Sequence, residues 1–334
     1  MPARVGILGA GFIGRVHALN LRTDERVVIV GIADVVPQAA ARLAAEVGTR
    51  ALPDLDALLD AGVEALYVTT PNTQHVQPVL QALRAGVHVF SEKPMATSLE
   101  DAWRIREAAS RSRGAYQIGF NRRFANVYRF ARRLIEEGHL VPLVAQLKHN
   151  RGELQQPPWT ADPGVTGGYL YETPVHLFDM ARFLMGEVEA LQGWARQSVY
   201  REPDGFTVLL RFRSGAIASL TSVAHASWLF PSERVELYGE HRSLVTEELE
   251  RAAYSPGPRE EVQAIDCTAM PFEQKWGYVT EDRLFVDTVV GERPPAVTAE
   301  DGYRATELVE ACYRAVREGR TVTLPLGEPR PPLS

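Results

Sequence analysis

The stretch "RVGILGAGFIG", Arg4 to Gly14, decides the reading of this chain. Its first half is a short apolar run ending in glycine, the pattern of a buried strand. Its second half fits G-x-G-x-x-G at Gly9, Gly11 and Gly14, and "GRVHALNLR" continues it with helical spacing. A glycine-rich turn between a strand and a helix is the setting in which a dinucleotide pyrophosphate is held. Gly9 permits the tight turn, Gly11 lets the backbone approach the phosphates, and Gly14 allows close helix–strand packing. The helix start adds free amides and the positive end of a dipole. Asp34 ends the second apolar run, "VVIVGIAD", 20 residues past Gly14. A carboxylate there takes the adenosine ribose hydroxyls. A 2′-phosphate beside it meets like charge, and Val35, Val36 and Pro37 bring no compensating cation. NAD rather than NADP is the expected cofactor.

The pattern spreads outward from this stretch. "PQAAARLAAEVG" has proline at its start and glycine after its end, the signature of a helix. "ALYVTT" with "PNTQHVQPVLQALRAG", then "VHVFSE" with "SLEDAWRIREAASRS", then "GAYQIGF", continue the strand–helix alternation. Such alternation predicts an α/β fold with a doubly wound parallel sheet, here over residues 1–121. Residues 122–334 read differently and form the second expected domain. "RFANVYRFARRLIEEGHL" reads as a long helix with arginines outward, and "LVAQLKHNRG" as a strand. Residues 152–168, with Pro157, Pro158 and Pro163, read as a loop, and "GYLYETPVHLFDMARFLMG" mainly as a helix. Strand-like runs near 188–200, 205–213, 216–224 and 233–238, separated by short turns, predict an antiparallel sheet. "EDGYRATELVEACYRAVREG" is a helix with a glycine stop, and "PLGEPRPPLS" a loose end.

A chain of 334 residues suits about two domains. Its 45% hydrophobic and 23% charged content is that of a globular protein. The formal charge of −6 argues against nucleic-acid binding driven by bulk charge. Cys267 and Cys312 are the two cysteines, too few for a disulfide framework or a zinc spacing, so no metal is expected and a reducing, cytoplasmic setting is. The glycine-rich stretch begins at once, without a leader pattern before it, and no run of about twenty apolar residues suggests a membrane span.

Two further groups carry chemistry. "YVTTPNTQH" brings Thr70, Pro71, Asn72 and His75 to the end of a strand, where ligands lie in open parallel sheets. Lys93 follows at the end of the next strand, between Glu92 and Pro94. The proline restricts its backbone to extended geometry, so the lysine is aimed at that crevice. Glu172 and His176 are four apart and share a helix face if the helix has begun there, with Asp179 three further on. A carboxylate beside an imidazole orients it and raises its proton affinity. The competing reading is a helix with a surface Glu–His pair.

Taken in order, "GAGFIG", "TPNTQH", "SEKPM", "GFNRRF" and "GGYLYETPVHLFDMARFL" resemble the Gfo/Idh/MocA oxidoreductases, and the tail from "TAEDGYRATELVEACYRAVREGRTVTL" is similar to that family's ending. The resemblance covers nearly the whole chain. It implies a Rossmann domain followed by an α/β domain on a large, mostly antiparallel sheet, through which dimers or tetramers form. It also implies that Lys93 is the active-site lysine, that the Lys93–Pro94 peptide is cis, and that His176 is the catalytic histidine. His75 matches a family position near the cofactor. The sequence departs from the family at Glu172, where Asp is usual, and at Pro174, where Gly is common.

The activity so implied is hydride transfer between a sugar, cyclitol or related polyol hydroxyl and nicotinamide. His176 is the expected general base, Lys93 the cation on the developing alkoxide, and Glu172 the group that orients His176 or holds a neighbouring hydroxyl. Lys93 is the other candidate base, if burial lowers its pKa. Cofactor contacts are expected from Gly9, Gly11, Phe12, Ile13 and Gly14, from Asp34, and from Thr70, Pro71, Asn72 and His75. Glu92, Lys93 and Asn121 complete that set. Substrate contacts are expected from Lys93, Arg122, Asn150 and Arg151, from Trp159 in the proline-rich loop, and from Glu172, Thr173 and His176. Arg123 is a weaker candidate, Trp276 and Tyr278 are either site or core, and His17 and His88 read as structural. Two alternatives stand beside this activity: an NAD-using glycosidase-type enzyme with transient oxidation, and a sensor of NAD or sugar without catalysis. Both active-site groups, Lys93 and His176, speak against the sensor. Nucleic acid and membrane are not expected partners.

Overall fold

Strand β1 (Ala3–Leu8) leads through the glycine turn into helix α1 (Phe12–Arg22). The alternation continues through β2 (Val27–Ala33), α2 (Pro37–Val47), β3 (Ala51–Leu52), α3 (Leu55–Asp60) and β4 (Ala65–Val68). It closes with α4 (Val76–Arg84), β5 (His88–Glu92), α5 (Leu99–Arg111) and β6 (Tyr116–Gly119). Local chemistry sets the helix ends. Pro37 opens α2 and Gly48 closes it at φ +76°, a left-handed position that glycine takes without steric cost. Ser98 caps α5 by accepting from the Asp101 N–H, and Asp54 caps α3 by accepting from the Ala57 N–H.

From residue 122 come α6 (Asn126–Glu136), β7 (Val144–His149), α7 (Pro163–Thr166), α8 (Tyr169–Glu172) and α9 (Val175–Met185). Strands β8 (Val188–Arg196), β9 (Gly205–Phe212), β10 (Ile217–Val223) and β11 (Glu233–Tyr238) follow. Next are β12 (Ser243–Glu247), β13 (Arg251–Ser255) and β14 (Gln263–Asp266). The last elements are α10 (Phe272–Lys275), α11 (Tyr278–Val289), α12 (Ala299–Glu318) and β15 (Val322–Thr323). The structure, a computed structural model, describes residues 2–152, 158–227, 232–327 and 329.

The chain folds as two units. The first holds residues 2–121 and 278–303, and the second holds the described residues of 122–277 and 304–330. The first unit is a six-stranded parallel sheet of order β3-β2-β1-β4-β5-β6. Between β1 and β4 the order reverses direction, which makes the crevice at their carboxyl ends the ligand position of this topology. Helix α11, far along the chain, joins the same core: Phe285 and Val286 pack with Val5, Ile7, Tyr67 and Phe90. Tyr67 stacks on Phe90 at 4.7 Å and meets Phe285 edge-on at 5.4 Å between ring centroids.

The second unit is a nine-stranded sheet of order β14-β13-β12-β11-β7-β10-β9-β8-β15. Only the β7–β10 pair is parallel. Along β9 the burial alternates, with Phe206, Val208, Leu210 and Phe212 inward and Thr207, Leu209 and Arg211 outward. Helices α6 and α9 pack against the strands of this sheet. The expected fold class is therefore the one observed.

Three details differ from the sequence expectation. The helix expected across residues 168–186 is two helices, because Pro174 lacks the N–H an interior position needs and instead precedes the start of α9. Strands β12, β13 and β14 extend the sheet beyond the four expected runs, since four or five residues are too short a window for a period of two to stand out. The expected loop at 152–168 contains a 3₁₀ turn at Pro158–Ala161 and the short α7. Pro157 and most of the expected loose end after Gly327 lie outside the described residues.

Candidate active site

The glycine turn sits at the carboxyl end of β1, where Leu8 pairs with Ala33 on one side and Val68 on the other. Gly9 has φ +108°, and a Cβ there would lie 2.6 Å from the Thr69 carbonyl. A Cβ on Gly14 would lie 2.1 Å from the Gly9 oxygen. Around Gly11, by contrast, a Cβ would meet no described atom within 4 Å, so this stretch of backbone faces open space. Gly11 caps α1, and no described side chain does so. Asp34 holds the turn from below: one carboxylate oxygen accepts from Ala10 N–H at 2.6 Å and the other from Val36 N–H at 2.8 Å. An open backbone at a helix start beside a fixed carboxylate fits a dinucleotide, with the phosphates at Gly11 and the ribose hydroxyls at Asp34. Phe12 is largely exposed at the mouth of this turn, with Ile13 behind it half-buried.

Lys93 lies on the same edge, one residue past the end of β5, and its peptide to Pro94 is cis, as expected. Its neighbours are held firmly. Glu92 Oε2 accepts the Lys93 backbone N–H at 3.1 Å. Glu92 Oε1 lies 3.2 Å from His17 Nε2, and His17 Nδ1 lies 2.6 Å from Asp282 Oδ1. Asn20 donates to the second Asp282 oxygen at 2.8 Å. Burial alone would lower the His17 pKa, but the carboxylates of Asp282 and Glu92 raise it to about 10. The ring packs among Phe90, Tyr67 and Tyr278. His75, buried just before the start of α4, places Nδ1 2.7 Å from the Pro94 carbonyl and Nε2 2.8 Å from the Thr70 carbonyl. Asn72 and Asn121 are also buried, while Thr70 and Pro71 are more open. His88 is half-buried and accepts from the Ala115 N–H.

The second unit gathers a different set. Glu172 ends α8 and His176 lies in the first turn of α9, so they occupy two helices with Thr173 and Pro174 between them. Arg151 donates to Glu172 Oε1 at 3.0 Å and to Thr173 Oγ1 at 3.4 Å. The His176 ring stands 6.4 Å from that of His149, at the end of β7. His149 Nε2 is 3.3 Å from Arg122, whose guanidinium forms a buried pair with Glu233 at 2.8 Å. Tyr128 donates to the same carboxylate at 2.7 Å. Burial would raise the Glu233 pKa, but Arg122 and His149 outweigh it and hold the carboxyl below its ordinary value.

Arg123 pairs with Asp179 on α9 at 2.6 Å, which fixes the helix that carries His176. Asn150 accepts from the Val223 N–H and so ties β7 to β10. Trp159 is 39% exposed in the 3₁₀ turn at Pro158–Ala161, and the Trp276 ring packs at a tilt against Phe272, 4.7 Å between centroids. Tyr278 belongs to the first unit, against His17. His149 and Glu233 carry no motif. Their signals are a lone polar residue at a strand end and a carboxylate at a strand start, too common to single out. Among the described residues no cluster of potential metal ligands occurs, and no helix is long and apolar enough to cross a membrane.

A parallel sheet with its glycine turn and acid at the switch point, and a lysine on the same edge, defines a nicotinamide-dinucleotide oxidoreductase. The chain belongs to the Gfo/Idh/MocA oxidoreductase family: residues 3–120 match its NAD-binding Rossmann fold and residues 132–324 its C-terminal alpha/beta domain. It is an NAD-dependent dehydrogenase acting on CH–OH groups. Myo-inositol 2-dehydrogenase of Thermotoga maritima is 28% identical over 96% of this chain and 98% of its own. Inositol 2-dehydrogenase 3 of Saccharopolyspora erythraea is 30% identical over 98% of this chain and 96% of its own. Among solved structures, GenD2 from gentamicin A biosynthesis, in complex with NAD, aligns with a TM-score of 0.83 at 26% identity, covering 97% of each chain.

Proposed function

We propose that the protein oxidises one ring hydroxyl of a cyclic polyol, an inositol or a sugar, to a ketone with NAD, the first unit binding the dinucleotide and the second unit the polyol; the first unit takes in residues 278–303 besides the expected 1–121. The observation that carries this reading is Lys93: a lysine fixed at a strand end on the edge that carries the glycine turn and Asp34. The inositol dehydrogenases among the relatives support the substrate class. The bound nicotinamide supplies the hydride acceptor. The chain supplies the rest. The hydroxyl proton passes to the imidazole of His176, histidine being the side chain that most often serves as a general base. The Lys93 ammonium stabilises the negative charge left on the oxygen. Glu172, paired with Arg151, accepts a hydrogen bond from a neighbouring hydroxyl, and Thr173 lies beside that pair. Arg122 acts from further back, through Glu233 and His149. Thr70, Asn72 and Asn121 line the nicotinamide end of the crevice.

The protein works as a homo-oligomer in a reducing cytoplasm. Val144, Leu209, Ile217 and Trp194 are exposed on the large sheet, and a second copy covers them. Cys267 and Cys312 are buried free thiols, which suits a reducing compartment.

The test is reduction of NAD by a panel of inositols, sugars and amino-sugar derivatives, with Lys93→Ala and His176→Ala beside the wild type. Each variant is expected to lose at least about a hundredfold in turnover, the low end for a positioned acid–base group. Silence across the panel with NAD bound would defeat the substrate class, and undiminished turnover in either variant would defeat that residue's role.

A further inference from the structure

The hydrogen bonds around Lys93 continue well beyond the residues that the reaction needs. His17 is fully buried, and both of its ring nitrogens face carboxylate oxygens, Asp282 at 2.6 Å and Glu92 at 3.2 Å. Ionised carboxylates only accept, so both nitrogens must donate and the ring is an imidazolium. Charge-assisted bonds of this kind are about twice as strong as neutral ones, and stronger still away from water. The chain of contacts starts at Asn20 and Asp282 on α1 and α11, passes through His17, and ends at Glu92. Glu92 then holds the Lys93 N–H through its second oxygen. On the other side of the lysine, His75 Nδ1 lies 2.7 Å from the Pro94 carbonyl. The backbone at Lys93 is therefore held at its N–H by Glu92, which His17 supports, and has the buried His75 ring beside its carboxyl-side neighbour Pro94.

We propose that His17, clamped by Asp282, is a positioning residue that acts through Glu92 to set where Lys93 presents its ammonium. The proposal rests on Lys93 being the catalytic lysine. A lysine has four rotatable side-chain bonds, and where they start from is set by its backbone, which Glu92 holds at the Lys93 N–H. Misplacement of a reacting group by about 1 Å lowers a rate by on the order of a hundredfold. Loss of the imidazolium leaves Asp282 and Glu92 as two buried carboxylates without the cation between them. Glu92, without its partner at His17, then turns, and the Lys93 N–H loses its acceptor. His17 also packs on Phe90, Tyr67 and Tyr278, so its replacement lowers stability whatever its role, and the test must separate the two.

The experiment is a double-mutant cycle on turnover at saturating NAD, with the polyol that the panel oxidises fastest, using His17→Gln, Lys93→Ala and the two combined. His17→Gln is expected to lower kcat at least about tenfold while KM for NAD stays within about twofold. In the Lys93→Ala background it is expected to change kcat by less than about twofold, because the residues act as one unit. Multiplying losses, or full kcat in a folded His17→Gln enzyme, would overturn the proposal. Full kcat in Lys93→Ala alone would instead overturn the assignment of Lys93.

Asp282→Asn, which keeps the shape and removes the charge, repeats the cycle if His17→Gln does not fold. A second readout needs no substrate. The chain has three lysines, Lys93, Lys148 and Lys275, so reductive ¹³C-methylation gives three assignable lysine signals. His17→Gln or Asp282→Asn is expected to move the Lys93 signal and leave Lys148 and Lys275 in place. An unmoved Lys93 signal contradicts the proposal.

Discussion

Asp34→Asn tests the proposal that the carboxylate charge at this position selects NAD over NADP. A 2′-phosphate about 4 Å from the Asp34 carboxylate is repelled by roughly 4 kcal/mol per charge at an effective dielectric of about 20. Asp34 is half-buried, so solvent screens part of this, and about 2 kcal/mol is a lower working figure. At about 1.4 kcal/mol per tenfold, these bounds correspond to about 30-fold and several hundredfold in relative affinity. The substitution also disturbs the loop. Asp34 accepts from both Ala10 N–H and Val36 N–H, and an asparagine amide offers one acceptor while turning its NH₂ toward the other donor. The lost bond costs on the order of 1–3 kcal/mol. That loss weakens both dinucleotides alike, because it acts through the glycine turn and not through the 2′ position. The ratio of affinities cancels it. Titrations of NADH and NADPH fluorescence in both proteins give the four dissociation constants. The wild type is expected to favour NADH by at least about 30-fold, and Asp34→Asn to reduce that preference by a similar factor even as both affinities fall. A preference unchanged within about twofold would refute the electrostatic argument and place selection elsewhere in the pocket.

Two further outcomes are expected. Ile217 is exposed at the centre of the large sheet, opposite Val144 on β7 and beside the exposed Leu209 on β9, so Ile217→Glu should convert an oligomer to monomers in light scattering; a wild type that is already monomeric would show that this face is not the interface. The second outcome concerns pH. Burial opposes the charge on His17, but Asp282 and Glu92 raise its pKa from 6.5 to about 10, so the folded protein holds a proton that the unfolded chain has lost. The contribution is present in full below pH 6.5 and fades as the pH rises toward 10, with a slope of at most about 1.4 kcal/mol per pH unit. Urea unfolding at pH 7, 8 and 9 should show the decline, and His17→Gln should flatten it; equal slopes in the two proteins would contradict the imidazolium.

The parts of the site that could be read from the chain share a property. Gly9, Gly14 and Asp34 are set by local backbone geometry, so their spacing is itself the signal: Gly14 is glycine because a Cβ would lie 2.1 Å from the oxygen of Gly9, five residues away, and Asp34 accepts from the Ala10 N–H inside the same turn. Lys93 stands out for the same reason, next to a proline at a strand end. Spacing was a poorer guide at Glu172 and His176. Four residues apart describes one helix face only if the helix is continuous, and Pro174 ends that condition by heading a new helix. Of Glu172's partners, Arg151 is 21 residues away on another element.

The groups that hold the chemistry in place left no such trace. His17 reaches Asp282 across 265 residues and Arg122 reaches Glu233 across 111, and any element facing the same spot can supply such a partner. Helix α11 therefore carries no recognisable motif although it completes the core behind β4 and β5 and brings in Asp282. The same physics explains both results. A ligand demands fixed local geometry and so leaves a pattern along the chain, whereas a buried charge demands only an opposite charge within hydrogen-bond reach. A histidine eight residues past Gly9 reads as structural from the sequence alone. Its consequence for Lys93 becomes visible once the fold brings three carboxylate contacts, those of Glu92 with Lys93 and of Glu92 and Asp282 with His17, into one chain.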